Sequence, residues 1–194
     1  AVDTLAQFEF EKTQTYSWSP DGKYVAIGST KLFSDIFDAN TGQLLYNLED
    51  DAETQCDGCN TEVIFSNNSK YLLTGAKKDG LILWDAAKGK KVRKFMDCED
   101  RVSGLSFSPD DKYVVARIGT DIFVFDVGSG AQKLRISNSL YDYYQPRFSP
   151  DGKHLVTPDE NNTAVLWSIS SGRKTKQFGG YMSHGKDDGM DFSY

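Results

Sequence analysis

Apolar and polar residues alternate in short runs along nearly the whole chain, and each run is stopped by a cluster of Gly, Pro, Asn, Asp or Ser. The stretch from Val102 to Ser108 alternates apolar with small or polar residues, which is the pattern of a half-buried strand. Ser108-Pro109-Asp110-Asp111 follows as a turn in which the proline ring fixes φ, and Tyr113 to Ala116 is again apolar. Gly119-Thr120 reverses the chain, Ile122 to Phe125 forms a third strand, Gly128 to Gly130 turns once more, and Lys133 to Ile136 is a fourth. No segment carries a convincing 3.6-residue period, so helices are expected to be nearly absent.

That four-strand unit repeats. An aromatic residue followed by a turn occurs at Trp18-Ser-Pro-Asp-Gly-Lys23, Phe65-Ser-Asn-Asn-Ser-Lys70, Phe107-Ser-Pro-Asp-Asp-Lys112 and Phe148-Ser-Pro-Asp-Gly-Lys153, at steps of about 41–47 residues. A second anchor follows each first one by about 18–19 residues. It runs Ile36-Phe37-Asp38 to Gly42, Leu83-Trp84-Asp85 to Gly89, Val124-Phe125-Asp126 to Gly130, and Leu166-Trp167-Ser168 to Gly172. Chance similarity would drift in one anchor or the other; here both stay in phase over four copies.

A single four-stranded antiparallel unit cannot bury both of its faces, so such units stack radially. The expected fold is therefore all-β: a β-propeller of four-stranded antiparallel blades, with four complete blades and partial strands flanking them. Leu83-Trp84-Asp85, preceded by Lys78-Asp79-Gly80, resembles the Trp-Asp signature of WD-repeat (WD40-type) propeller proteins, and the likeness runs from Gln14 to Phe178. Two departures from that family stand out. The Gly-His pair before the first strand is missing from every copy, and only the second copy has both Trp and Asp at the signature. The family's buried Ser/Thr-His-Asp-Trp hydrogen-bond network is then not expected, because His154 and His184 stand elsewhere, and the blades should rest on aromatic packing.

The expected blades are residues 13–50, 51–97, 98–137 and 138–179. Residues 1–12, with Leu5 to Phe10, read as the last strand of a preceding blade, and 180–194 as a loop and the first strand of an incomplete one, since Gly189-Met-Asp-Phe-Ser193 matches Gly104-Leu-Ser-Phe-Ser108. Three readings of the ends stay open: a piece of a larger propeller, a ring completed by a second copy or another chain, and a compact ring of four or five blades. Open sheet edges invite pairing, so self-association through incomplete blades is one expectation.

Composition narrows the function. With 39% hydrophobic and 13% aromatic residues, the 194-residue chain has ample material for a packed core. No run approaches the roughly 18 apolar residues of a membrane span, and no membrane association is expected. A formal charge of −6 disfavours a protein whose main task is coating nucleic acid or anionic lipid. Three cysteines do not form a disulfide framework, which favours a reducing compartment, cytoplasm or nucleus.

Cys56-Asp-Gly-Cys59 is the one motif with a chemical reading, since two thiolates so spaced can grip a zinc ion or cycle as a dithiol. Cys98 lies nine residues before Phe107 as Cys56 does before Phe65, at an equivalent point of the next blade. The bland reading, loop cysteines in the insertion that lengthens the first repeat, is preferred, and no metal or cofactor is expected. Loops that join one blade to the next emerge on one face by analogy with the family. Acidic residues mark two of them, including Asp50 and Asp51 in one and Glu99 and Asp100, beside Arg101, in the other; Tyr141, Asp142, Tyr143 and Tyr144 mark a third. Aromatic contact area with charge around it suits a protein partner. Lys88, Lys90, Lys91, Arg93 and Lys94 form a basic stretch that could meet phosphate, although solvated strand-edge lysines are the plainer reading.

Nothing arranges a nucleophile and base, and the recurring Ser-Pro-Asp-Gly is explained by turn chemistry. The sequence therefore points to a non-enzymatic protein-interaction scaffold that binds partners on the propeller face and rim. Two alternatives remain: an RNA- or ribosome-associated propeller similar to those in translation initiation factors, and the propeller portion of a longer hydrolase.

Overall fold

A computed structural model describes residues 13–29, 34–48, 61–137, 145–159 and 163–179. The expected flanking strands, in residues 1–12 and 180–194, lie outside the described residues. Every regular element described is a strand. They are β1 (Thr13–Trp18), β2 (Tyr24–Ser29), β3 (Ser34–Asp38), β4 (Leu44–Leu48), β5 (Glu62–Phe65), β6 (Tyr71–Ala76), β7 (Gly80–Asp85), β8 (Lys90–Met96), β9 (Val102–Phe107), β10 (Tyr113–Ile118), β11 (Asp121–Asp126), β12 (Gln132–Ile136), β13 (Arg147–Phe148), β14 (His154–Pro158), β15 (Ala164–Ser168) and β16 (Lys174–Phe178).

Consecutive strands pair into four meanders, β1 to β4, β5 to β8, β9 to β12 and β13 to β16, which are the four blades of an all-β propeller architecture. One register recurs. The first residue of the second strand faces the last of the third, as Tyr24 with Asp38, Tyr71 with Asp85, Tyr113 with Asp126, and His154 with Ser168. A bulge between third and fourth strands also recurs beside the signature aromatic, at Phe37, Trp84, Phe125 and Trp167. It adds local twist at the same point of each blade.

The turn between first and second strands shows why Ser-x-Asp/Asn-x-Lys repeats. In the first blade the Ser19 hydroxyl donates to Asp21 Oδ1 at 2.8 Å and accepts the Tyr24 amide at 2.9 Å. Asp21 Oδ1 also accepts the Lys23 amide at 3.2 Å. Ser66 with Asn68, Ser108 with Asp110, and Ser149 with Asp151 build the same clasp. Each buried serine is thereby satisfied, and two polar side chains define the reversal.

The chain divides into two compact units, residues 1–102 and 103–194. In the first, Ala26, Ile36 and Leu48 of one blade pack on Val63, Phe65, Leu72, Ile82 and Trp84 of the next. The rings of Tyr24 and Phe65 stack with centroids 6.4 Å apart. Polar contacts join the same two blades: Thr15 Oγ1 donates to the Thr61 carbonyl at 2.7 Å, the Phe65 amide to Ser17 Oγ at 3.1 Å, and Tyr46 Oη to the Ala87 carbonyl at 2.7 Å. Within the second unit, Val115, Ile122, Val124, Leu134 and Ile136 pack on Phe148 and Leu155, with Trp167 beside them. Each fully buried Leu or Ile in these layers contributes about 1.5–3 kcal/mol.

The anchor aromatic of the first strand is buried in three blades, at Phe65, Phe107 and Phe148, but Trp18 is 58% exposed and its neighbour on that face, Tyr16, 74%.

Candidate functional site

Candidate binding residues fall on loops and edges, so their positions follow from what the strands leave uncovered. The described loop between β8 and β9 carries the acidic group expected there. Cys98 points inward and is 1% exposed, whereas Asp97, Glu99, Asp100 and Arg101 are exposed. Beneath the loop, the Lys78 amide donates to the Cys98 carbonyl at 2.6 Å. Lys94 Nζ meets Asp97 Oδ1 at 2.8 Å, and Asp100 Oδ1 accepts the Arg101 amide at 2.7 Å. Gly80, with φ +90°, starts β7 directly under this loop, where a Cβ would run into the Met96 carbonyl and lie 3.2 Å from Asp97 Cα. The loop is thus held from below by one buried side chain and one main-chain bond, and it offers four charged residues to solvent.

Cys98 itself is not placed for metal or redox work. Burial, and then the charge of Asp97, pushes its thiol up to about 12, so it is protonated at neutral pH and is a poor ligand or nucleophile. Cys56 and Cys59 lie outside the described residues, and among the described residues no group of three His, Cys, Asp or Glu side chains is arranged to hold a metal ion. Tyr141, Asp142, Tyr143, Tyr144, Asp50 and Asp51 likewise lie outside the described residues.

The basic residues are spread rather than clustered. Lys88 sits in the turn before β8 and pairs with Asp85 at 2.9 Å, while Lys94, near the far end of the strand, pairs with Asp97. Lys91 is opposite Trp84 and Arg93 opposite Leu83, and Trp84 and Leu83 point to opposite faces of the blade. The cations therefore flank both faces, with Lys90 and the exposed Val92 among them.

Polar pairing inside the blades goes further than the sequence suggested. Aromatic packing alone was expected, yet Trp84 Nε1 donates to Thr74 Oγ1 at 2.9 Å, and Trp167 Nε1 to Thr157 Oγ1 at 2.9 Å. The signal was present as a threonine ten residues before each of these tryptophans. The signature acids serve the next turn: Asp38 Oδ1 accepts the amides of Asn40 and Thr41, Asp85 Oδ1 those of Ala87 and Lys88, and Asp126 Oδ1 that of Ser129. These carboxylates are tied into structure.

No helix among the described residues is long and apolar enough to cross a membrane. No family model matches the chain. Over 106 residues it is 29% identical to WD repeat-containing protein 18 of Danio rerio, a match covering 54% of this chain and 24% of that protein. To Protein HIR1 of Eremothecium gossypii it is 25% identical over 170 residues, covering 76% of this chain and 21% of that one. A WD repeat-containing protein of Synechocystis is 24% identical over 159 residues, covering 81% of this chain and 44% of that one. The chain thus spans less than half the length of these curated relatives. Its resemblance to WD-repeat proteins holds in sequence and in blade architecture alike.

Proposed function

We propose that the chain is a non-catalytic scaffold that binds a protein partner through the loops joining successive blades. The observation that carries this is the β8–β9 loop: Cys98 and the Lys78–Cys98 bond fix it, and Asp97, Glu99, Asp100 and Arg101 face outward. A pre-ordered charged rim loses little entropy on binding and steers a partner of complementary charge. Tyr141, Tyr143 and Tyr144, on the following inter-blade loop in sequence, are a second candidate, since tyrosines supply contact area to a protein partner. The turn carboxylates and serines are already committed to main-chain bonds, which supports binding over catalysis. The free, buried Cys98 thiol is in keeping with the cytoplasm or nucleus. A phosphate-binding reading of Lys88 to Lys94 draws less support, because Lys88 and Lys94 are each neutralised by an aspartate.

The test is quantitative capture of partners by the wild-type chain and by a Tyr141→Ala/Tyr143→Ala/Tyr144→Ala variant and a Glu99→Lys/Asp100→Lys variant of unchanged thermal stability. Saturable binding should weaken about tenfold or more in at least one variant. Equal affinity in all three would remove the proposed face, and RNA retention at low salt that is lost on neutralising Lys90 and Lys91 would favour the nucleic-acid reading instead.

A further inference from the structure

We infer that one buried water molecule is built into the layer between the first two blades, bridging Ser34 and Thr61 beside the Trp84–Thr74 pair. A cavity of about 10 Å³ lies there, lined by Ser34, Thr61, Thr74 and Asp79 on its polar side and by Leu48 and Trp84 among its apolar walls. That volume is near the roughly 10–15 Å³ that a single water requires.

Ser34 and Thr61 are each 2% exposed, and among the described residues neither Ser34 Oγ nor Thr61 Oγ1 has a hydrogen-bond partner. A buried hydroxyl left unbonded weakens folding roughly five- to a hundredfold, so two of them on one small cavity call for a shared partner. Apolar cavities of this size stay dry, whereas a cavity offering two to four polar groups holds water.

Blade packing fixes the geometry. The Thr61 carbonyl accepts Thr15 Oγ1 at 2.7 Å, and Gly28 lies so close to that carbonyl that no side chain fits between them. Ser34 is held in register by pairing with Gly28 on one side and Leu48 on the other. Thr61 is therefore fixed by the first blade's contacts with the second, and Ser34 by strand pairing within the first. Thr74 Oγ1, already accepting Trp84 Nε1, lines the same cavity and is a further partner for the water. A bridging water would tie the start of the third strand of one blade to the residue that leads into the first strand of the next.

Crystallography of the full chain to high resolution, with the variants Thr61→Val and Ser34→Ala, tests this. The expected result is one peak about 2.7–3.2 Å from both hydroxyl oxygens. Thr61→Val, which keeps the shape, should lower the folding equilibrium constant about fivefold, as should Ser34→Ala, and the double variant should lose the peak and cost less than the two added together. An empty cavity overturns the inference. So does a peak about 2.3–2.6 Å from the oxygens, which would be a cation. A rise in stability on Thr61→Val also overturns it, since removing a hydroxyl that truly has no partner relieves its desolvation penalty.

Discussion

Trp84 and Thr74 sit on neighbouring strands of the second blade, two residue pairs out of direct register and so on the same face, with the indole N–H donating to the threonine hydroxyl at 2.9 Å in a fully buried setting. The fourth blade repeats the arrangement with Trp167 and Thr157. Where the aromatic is Phe37 or Phe125, the place of the threonine is taken by Ile27 or Ala116, both buried and without a side-chain polar group. The two positions match in polarity because either mismatch, an indole N–H without an acceptor or a hydroxyl without a donor, would bury an unpaired group.

Replacing Trp84 by Phe should therefore cost about 1–2 kcal/mol, chiefly through the stranded Thr74 hydroxyl and the smaller ring. Adding Thr74→Ala, the combination the third blade uses, should cost less than the two single changes summed, with a coupling of about 1 kcal/mol in a double-mutant cycle by urea denaturation. Trp84→Ala, which also opens a cavity, should cost about 3–5 kcal/mol. Strict additivity of Trp84→Phe and Thr74→Ala would mean that the hydrogen bond contributes nothing.

The strands, the turns and the repeat were legible because alternation and turn chemistry are local: Ser19 to Lys23 reads as a reversal whatever surrounds it. The Trp84–Thr74 bond was legible in principle from the threonine ten residues upstream, and it forms without the histidine that the family's network includes. Other features depend on packing that no local pattern encodes. Cys98 looked like any loop cysteine until the loop was seen to turn it inward. Lys88 to Lys94 read as one basic stretch, although Lys88 lies in the turn before β8 and Lys94 near the strand's far end. Trp18 occupies the same repeat position as Phe65, and its exposure could not be read from that position, because burial of Phe65 comes from packing on the first blade.

Gly22 isolates the effect of backbone conformation. Its φ is +72°, and a Cβ there would meet nothing within 4 Å. Gly22→Ala should thus cost about 1–2 kcal/mol from the left-handed conformation alone. Gly89, with φ +60°, lies against the Tyr46 ring, which a Cβ would overlap. Gly89→Ala should cost more and should also disturb the Tyr46 to Ala87 bond between the first two blades. Thermal denaturation of both variants ranks them; a larger loss for Gly22→Ala would contradict the assignment.

Acid should unfold the protein through its turns. The Ser19 hydroxyl, with Lys23, holds the Asp21 carboxyl at about 2; the Thr41 amide lowers Asp38, the Lys88 ammonium Asp85, and the Ser129 amide Asp126. Each folded value lies below that of an unfolded aspartate, about 3.9, so the stabilisation is complete above about pH 4 and is lost as pH falls toward about 2. Asp21→Asn should flatten this acid limb without breaking the clasp, because Asn68 performs the same role in the second blade. Urea midpoints measured from pH 6 to pH 2 give the comparison, and identical limbs for wild type and variant would show that Asp21 is not among the groups responsible.

Tyr16 and Trp18 bear on how the chain behaves at high concentration. On the corresponding face of the second blade, Val63 and Phe65 are 4% and 5% exposed, buried under the first blade, and Tyr24 stacks on Phe65. Tyr16 and Trp18 present the same kind of face at 74% and 58% exposure. Aromatic side chains each bury about 150–250 Å² when covered, so a shared apolar face of this kind favours association. Sedimentation equilibrium should show an average mass that rises with concentration for the wild-type chain. The Tyr16→Glu/Trp18→Glu variant should stay at constant mass with an unchanged circular dichroism spectrum. Because Trp84 is only 4% exposed and Trp167 is half-buried, Trp18 should also dominate quenching of tryptophan fluorescence by acrylamide, and that quenching should fall as the wild-type protein is concentrated. A wild-type mass independent of concentration, with quenching equally flat, would mean that this face is tolerated in water as it stands.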